Sequence, residues 1–214
     1  MDKIFAIGDI HGCLDKLCKL MELIPADPAR DTLVFIGDYI DRSPEGPKVV
    51  DRILELARTH AGVKCLCGNH ELMLMNYLEG ADEDLYLANG GRMTLAAYGI
   101  NREDSPAERR AKIPAAHMKF FKSLLPYYET EHFIFSHAGM LPGFPLSMQS
   151  IHDLIWIRDD FMDSDYDFGK RVVFGHTHLP RPLVAPNKIG IDTGAVYGGK
   201  LTCVELPALR FYQV

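Results

Sequence analysis

No apolar stretch of this sequence approaches the ~20 residues that a membrane span requires. Met1-Asp2-Lys3-Ile4 runs straight into a strand pattern, without the cationic and apolar regions of a signal peptide. The expectation is a soluble, cytoplasmic protein. A cationic surplus is also missing: the net charge is -6, which argues against a generic grip on nucleic acid or on an anionic membrane. Cysteine is scarce, with five residues in no disulfide-scaffold spacing, so reduced thiols are expected. Cys65 and Cys67 lie two apart with no second pair to answer them, which reads as buried thiols rather than a zinc site. Repeats, low-complexity tracts and interdomain linkers are absent too. The 214 residues are therefore expected to form one domain, residues 1–214.

What the chain does contain is a series of short apolar runs, at 3–7, 32–36, 63–67, 132–135, 171–174, 188–191 and 201–206. Runs of this kind suit strands covered on both faces. Helical spacing fills 14–24 and 47–60, where Val49, Val50, Ile53, Leu54 and Leu56 recur at three and four residue intervals. The first third thus reads βαβαβ, an α/β pattern. A helix is predicted over 71–78, and a more polar, mainly helical section over 80–126 is placed to cap a site. A helix-or-loop insertion over 147–168 carries the single tryptophan, Trp156.

Each of five apolar runs ends in a small turn with metal-ligand chemistry. These turns are Gly8-Asp9-Ile10-His11-Gly12, Gly37-Asp38-Tyr39-Ile40-Asp41-Arg42, Gly68-Asn69-His70-Glu71, Ser136-His137-Ala138-Gly139 and Gly175-His176-Thr177-His178. In open α/β sheets the carboxyl ends of the strands form the ligand crevice, so residues distant in sequence converge there. Two divalent cations need anionic oxygen and neutral imidazole ligands, with one carboxylate able to bridge them. A single GD or GH dipeptide is ordinary turn punctuation; five in this context point to a metal site.

In this order, GDIHG, GDYIDR, GNHE, SHAG and GHTH resemble the motifs of the calcineurin-like metallophosphoesterases. GDIHG with GDYIDR is closest to the phosphoprotein phosphatase branch, and the stretch Ile191-Asp192-Thr193-Gly194-Ala195-Val196-Tyr197-Gly198-Gly199 resembles compact bacterial and phage serine/threonine phosphatases. The resemblance implies two mixed β-sheets packed as a sandwich between helices, in α/β/β/α layers. It implies two divalent metal ions, manganese first, with iron or zinc as alternatives. Asp9 and His11 would bind the first, Asp38 would bridge, and Asn69, His137 and His176 would complete the second.

Hydroxide formed between the ions would attack phosphorus in line, and His70, paired with Asp41, would protonate the leaving group. Arg42 would clamp the phosphoryl oxygens. Arg158, after Trp156, is either a second phosphate-binding arginine or a solvated one beside Asp159 and Asp160. His178 is either the second histidine of a GHxH ligand pair or a neighbouring hydrogen-bonding histidine. Ser43 departs from the glycine that usually follows the Asp-Arg pair. Glu71 reads as a first-turn acid favouring the helix dipole, and Asp192 as a supporting acceptor.

The implied activity is phosphomonoester hydrolysis on a phosphorylated protein or a small phosphoester, serine/threonine phosphatase first. Hydrolysis of dinucleoside polyphosphates is the alternative, and a scaffold without catalysis is the third reading. The Asp41-Arg42 pair leans toward the phosphatases.

Overall fold

The computed structural model describes residues 2–214. Its first part is the expected βαβαβ unit: β1 (Ile4–Ile7), α1 (Leu14–Leu23), β2 (Thr32–Phe35), α2 (Gly46–Thr59) and β3 (Val63–Cys65). The three strands pair in parallel, with Ile4 opposite Thr32 and Leu33 opposite Val63. A helical section follows, with α3 (Asn69–Leu78), α4 (Glu83–Ala88), α5 (Arg92–Ala97), α6 (Pro106–Lys112) and α7 (Ala115–Lys122). Ser105 opens α6 with a capping box to Glu108 ahead of Pro106, which satisfies two otherwise orphaned backbone donors.

The remaining elements are β4 (Tyr127–Glu129), β5 (Phe133–Ser136), α8 (Ile151–Trp156), α9 (Asp159–Met162), β6 (Arg171–Phe174), β7 (Leu183–Val184), β8 (Lys188–Gly190), β9 (Thr202–Leu206) and β10 (Arg210–Gln213). They build a second sheet in the order β4-β5-β6-β8-β7, while β9 and β10 return to extend the first as β10-β9-β1-β2-β3. Three strands were not predicted: β4, β7 and β10. Each is an edge strand with little buried surface, so its apolar signal is weak.

Strand alternation makes the layers, because successive side chains point to opposite faces of a sheet. Ala6, Val34, Ile36 and Leu66 of the first sheet meet Phe135, Val173 and Ile189 of the second in a buried seam. Their neighbours Phe5, Ile7, Leu33 and Phe35 face the other way, into a core with Leu17 and Leu20 of α1 and Val49, Val50 and Ile53 of α2. On the far side, Ile134, Val172 and Phe174 pack on Leu154, Ile155 and Phe161 of α8 and α9. Full burial of such a side chain contributes roughly 1.5–3 kcal/mol. The architecture is two mixed five-stranded sheets flanked by helices, as the resemblance implied.

At the opposite end of the sandwich from the turns, the Asp31 carboxylate accepts the backbone N–H groups of Lys3 (2.9 Å) and Asp27 (2.8 Å). Burial alone would raise this carboxyl, and the two N–H groups reverse the effect and hold it below the usual range. All five cysteines are free, and burial pushes the Cys65 thiol up to about 12. No helix among the described residues is long and apolar enough to cross a membrane.

Candidate metal centre

The strands β1, β2, β3, β5 and β6 run parallel within their sheets, so the turns after them gather along one edge of the sandwich. Among the described residues seven non-glycine residues have positive φ, and five of these are His11, Asp38, Asp41, Arg42 and His176. Such backbone costs of order 1–3 kcal/mol each and persists where surrounding structure enforces it. The strain is concentrated in the turns that carry ligand chemistry. Gly68 shows one cause: a Cβ there would run into Asp38 Oδ1 and lie 2.8 Å from Glu71 Oε2, so only glycine lets these turns approach so closely.

Asp38 occupies the middle of the site, 1% exposed. Its Oδ2 lies 3.3 Å from His11 Nε2 and its Oδ1 lies 3.5 Å from His137 Nε2. His11 Nδ1 is 2.8 Å from the Ile40 carbonyl and His137 Nδ1 is 2.9 Å from the Ile36 carbonyl. Each ring therefore donates its Nδ1–H to the backbone, which leaves Nε2 as a lone pair directed at the carboxylate. The Asn69 side-chain oxygen lies 3.0 Å from His137 Nε2 and 3.0 Å from His176 Nδ1. Asp9 accepts the His176 backbone N–H through Oδ2 at 3.0 Å, while Asp9 Oδ1, His70 Nε2 and His176 Nε2 are buried with no protein partner.

The electrostatics agree with this geometry. Burial and the carboxylates of Asp192 and Asp38 push Asp9 well above the usual range. Burial would raise Asp38 as well, but His137, His70 and His11 surround it and hold it well below the usual range. Burial lowers His137, and burial with the neighbouring His137 brings His176 down to about 2. The His137 and His176 rings are thus biased toward the neutral form, the one able to ligate a metal.

A cation suits this donor set. The His137 Nε2 lone pair faces the oxygens of Asn69 and Asp38, an acceptor set against acceptors. Asp9 is forced up by burial and by its acidic neighbours, and the Arg42 charge beside it does not offset them. Two triads capable of holding an ion, His11/Asp38/His70 and Asp38/His137/His176, share Asp38. One carboxylate common to two groups is the arrangement that bridges a pair of ions.

A sandwich whose strand ends carry two donor groups sharing one carboxylate fits a class, the metal-dependent phosphoesterases. Within that class the chain belongs to the calcineurin-like phosphoesterases, whose family profile matches residues 2–180. It is similar to the Serine/threonine-protein phosphatase 1 of Salmonella typhimurium, 28% identical over 95% of this chain and 91% of the relative. It is also similar to the asymmetrical bis(5'-nucleosyl)-tetraphosphatase PrpE of Bacillus cereus, 26% identical over 97% of this chain and 92% of the relative. In fold it matches a crystal structure described provisionally as a diadenosine tetraphosphatase, with TM-score 0.76 at 21% identity, covering 100% of this chain and 93% of that one. The protein is a metal-dependent phosphoesterase, and its paired triads are consistent with a dinuclear metal centre.

The other expected residues fall into two groups. His70 Nδ1 lies 2.7 Å from Asp41 Oδ2, both residues 0% exposed, and His70 Nε2 lies 3.9 Å from Asp38 Oδ2. Arg42 is half-buried, and its guanidinium contacts His11 Nε2 and lies 5.4 Å from the ring centroid of Tyr197. By contrast Arg158 is exposed and donates to the His176 carbonyl at 3.2 Å. His178 is exposed, belongs to neither triad, and lies over Gly194 with its ring 5.7 Å from that of Tyr197. Ser43, the departure from glycine, donates its hydroxyl to the Gly12 carbonyl at 3.2 Å and so ties two of the ligand turns together.

Three residues were missed in their roles. Glu71 does more than face the helix dipole. Its Oε2 accepts the N–H groups of Asp38 (3.0 Å) and Gly68 (3.1 Å), and its Oε1 accepts that of Tyr39 (2.9 Å). A glutamate three residues past a helix-capping glycine was the available signal. Tyr86 and Thr94, from α4 and α5, both bond to Asp41, and nothing in their sequence neighbourhood marks them.

Proposed function

We propose that this chain, as one catalytic domain, is a phosphomonoesterase acting on phosphoserine and phosphothreonine in proteins. Asp9 and His11 would hold the first divalent cation, Asp38 would be shared by the two, and Asn69, His137 and His176 would hold the second. The donor set of carboxylate, amide and imidazole suits manganese, iron or zinc. When bound, the ions would supply charge neutralisation at the phosphoryl group and a water acidified enough to serve as nucleophile. Arg42, with Arg158 further out, holds the phosphoryl oxygens by paired N–H donors. His70 gives its Nε2 proton to the leaving oxygen, and Asp41 keeps the ring in place.

One observation carries this reading: His70 Nε2 is buried, has no protein partner and is directed at Asp38, while Nδ1 is tied to Asp41. A serine or threonine alkoxide is a strongly basic leaving group that needs a proton. A nucleotide phosphate leaves readily without one, so a placed acid favours the monoester. The second reading, asymmetrical cleavage of dinucleoside tetraphosphates, draws support from the Bacillus cereus relative and from Tyr197. That ring is 61% exposed and lines a cavity of about 430 Å³ with Arg42, Asn89 and Gly90, a flat surface on which a nucleobase could stack.

The test compares a phosphoseryl peptide, a phosphotyrosyl peptide, diadenosine tetraphosphate and an aryl phosphodiester with manganese supplied. The highest kcat/KM is expected for the phosphoseryl peptide. Preference for the tetraphosphate would replace the first reading by the second, and no turnover with manganese, iron or zinc would remove both.

A further inference from the structure

The α4–α5 segment lies outside the sandwich, yet it holds one turn of the site at three points. Thr94 Oγ1 accepts the Asp41 backbone N–H at 2.9 Å, the Tyr86 hydroxyl donates to Asp41 Oδ1 at 2.8 Å, and the Gly90 carbonyl accepts the Arg42 backbone N–H at 3.3 Å. That turn is the most strained in the site, with φ of +69° at Asp41 followed by +66° at Arg42. Two consecutive side-chain-bearing residues in the left-handed region need outside support. Asp41 is also a carboxylate with 0% exposure, and its two oxygens are divided between Tyr86 and His70.

Tyr86 is itself fixed. It is 0% exposed, its ring centroid lies 5.4 Å from that of Tyr77, and a Cβ on Gly91 would lie 2.6 Å from its ring carbons. Burial and the Asp41 charge raise its phenol well above the usual range, so it remains a donor.

We infer that Tyr86 and Thr94 are positioning residues for the reaction, acting through Asp41 to orient the His70 imidazole toward the leaving group. The inference rests on the reading of His70 as the proton donor. As the P–O bond breaks, the Nε2 proton passes to the departing oxygen, whose bonding pair it takes up, and the ring is left neutral with its Nδ1–H on Asp41. Without the Tyr86 hydroxyl, one oxygen of a buried carboxylate loses its donor. Asp41 then turns, and the ring behind the proton loses its aim. Since only a basic leaving group needs that proton, the loss grows with leaving-group basicity.

The experiment measures the manganese-loaded full chain against phosphate monoesters whose leaving groups run from an alkyl alcohol to dinitrophenol. Variants are Tyr86→Phe, Thr94→Val, Thr94→Ser and His70→Asn, each checked for bound manganese. Tyr86→Phe and Thr94→Val are expected to lower kcat roughly 10–100-fold on the alkyl ester, the scale for a partner behind a functional imidazole. On the dinitrophenyl ester the loss should stay under about threefold, with KM and metal content unchanged. Thr94→Ser, which keeps the hydroxyl, is expected to restore the rate. An equal loss across all leaving groups, or no loss, would overturn the inference while His70→Asn still shows the leaving-group dependence. Were His70→Asn to show none, the acid reading itself would fail and take the inference with it. If Tyr86→Phe does not fold, the Thr94 pair decides by the same criterion.

Discussion

The inner wall of the site and its rim are built by different means. On the wall, His70 and His137 are 0% exposed, and each has one ring nitrogen tied to a fixed acceptor, Asp41 Oδ2 for the first and the Ile36 carbonyl for the second. Asp38 is pinned by its backbone N–H to Glu71. On the rim, Arg158, His178 and Tyr197 are exposed, and the Arg158 guanidinium reaches only the carbonyl of His176 and the hydroxyl of Thr177. Buried carboxylates and backbone groups together set the geometry of the wall before any ligand arrives, which is what preorganised catalysis needs. The rim has few such ties, so differences in substrate preference are expected to arise there.

The strongest test of this contrast lies where wall and rim meet. Arg42→Ala is expected to lower kcat/KM roughly 10²–10³-fold while leaving bound manganese unchanged, as steady-state kinetics and metal analysis would show. If metal is lost as well, Arg42 is part of the wall. Next, Glu71→Ala removes the acceptor shared by the Asp38, Tyr39 and Gly68 amides. A metal titration should show affinity weakened roughly 10–100-fold, the effect of losing outer support for a ligand; unchanged affinity would mean that the wall does not depend on it. On the rim, Arg158→Ala and His178→Ala should each cost under about tenfold in kcat/KM, as exposed charges contribute little. Loss of bound metal from His178→Ala would move that residue onto the wall and break the contrast there.

The smallest effect on activity is expected far from both. Asp31→Asn should leave turnover unchanged but lower stability at pH 7 by about 1 kcal/mol through weakened hydrogen bonds. The folded Asp31 carboxyl lies below its usual range, so its contribution is present above the unfolded value near ~3.9 and is lost as pH falls through the lower folded value. Urea midpoints of parent and variant should converge below about pH 4, and a gap constant with pH would show that ionisation is not involved.

The wall was legible in the sequence because each of its residues sits in a short turn beside glycine at the end of an apolar run. Local pattern and function coincide there. Edge strands such as Leu183–Val184 were not legible, being short and half-exposed. Glu71 was located but misread, since its helical position suggested a dipole partner while its side chain folds back onto the 38–40 turn. Tyr86 and Thr94 reach Asp41 across 45 and 53 residues, and no periodicity records a contact of that range.

The proposed ligand set is also divided between the two sheets. Asp9, Asp38 and Asn69 follow strands of the first, and His137 and His176 follow strands of the second. On that assignment neither sheet alone would complete the second ion's coordination, so tight metal capture would wait until the sandwich has closed. Bound ions would then act as a latch on assembly, drawing the folding equilibrium toward the docked state as their free concentration rises. A cell short of the metal would lose intact protein along with active protein.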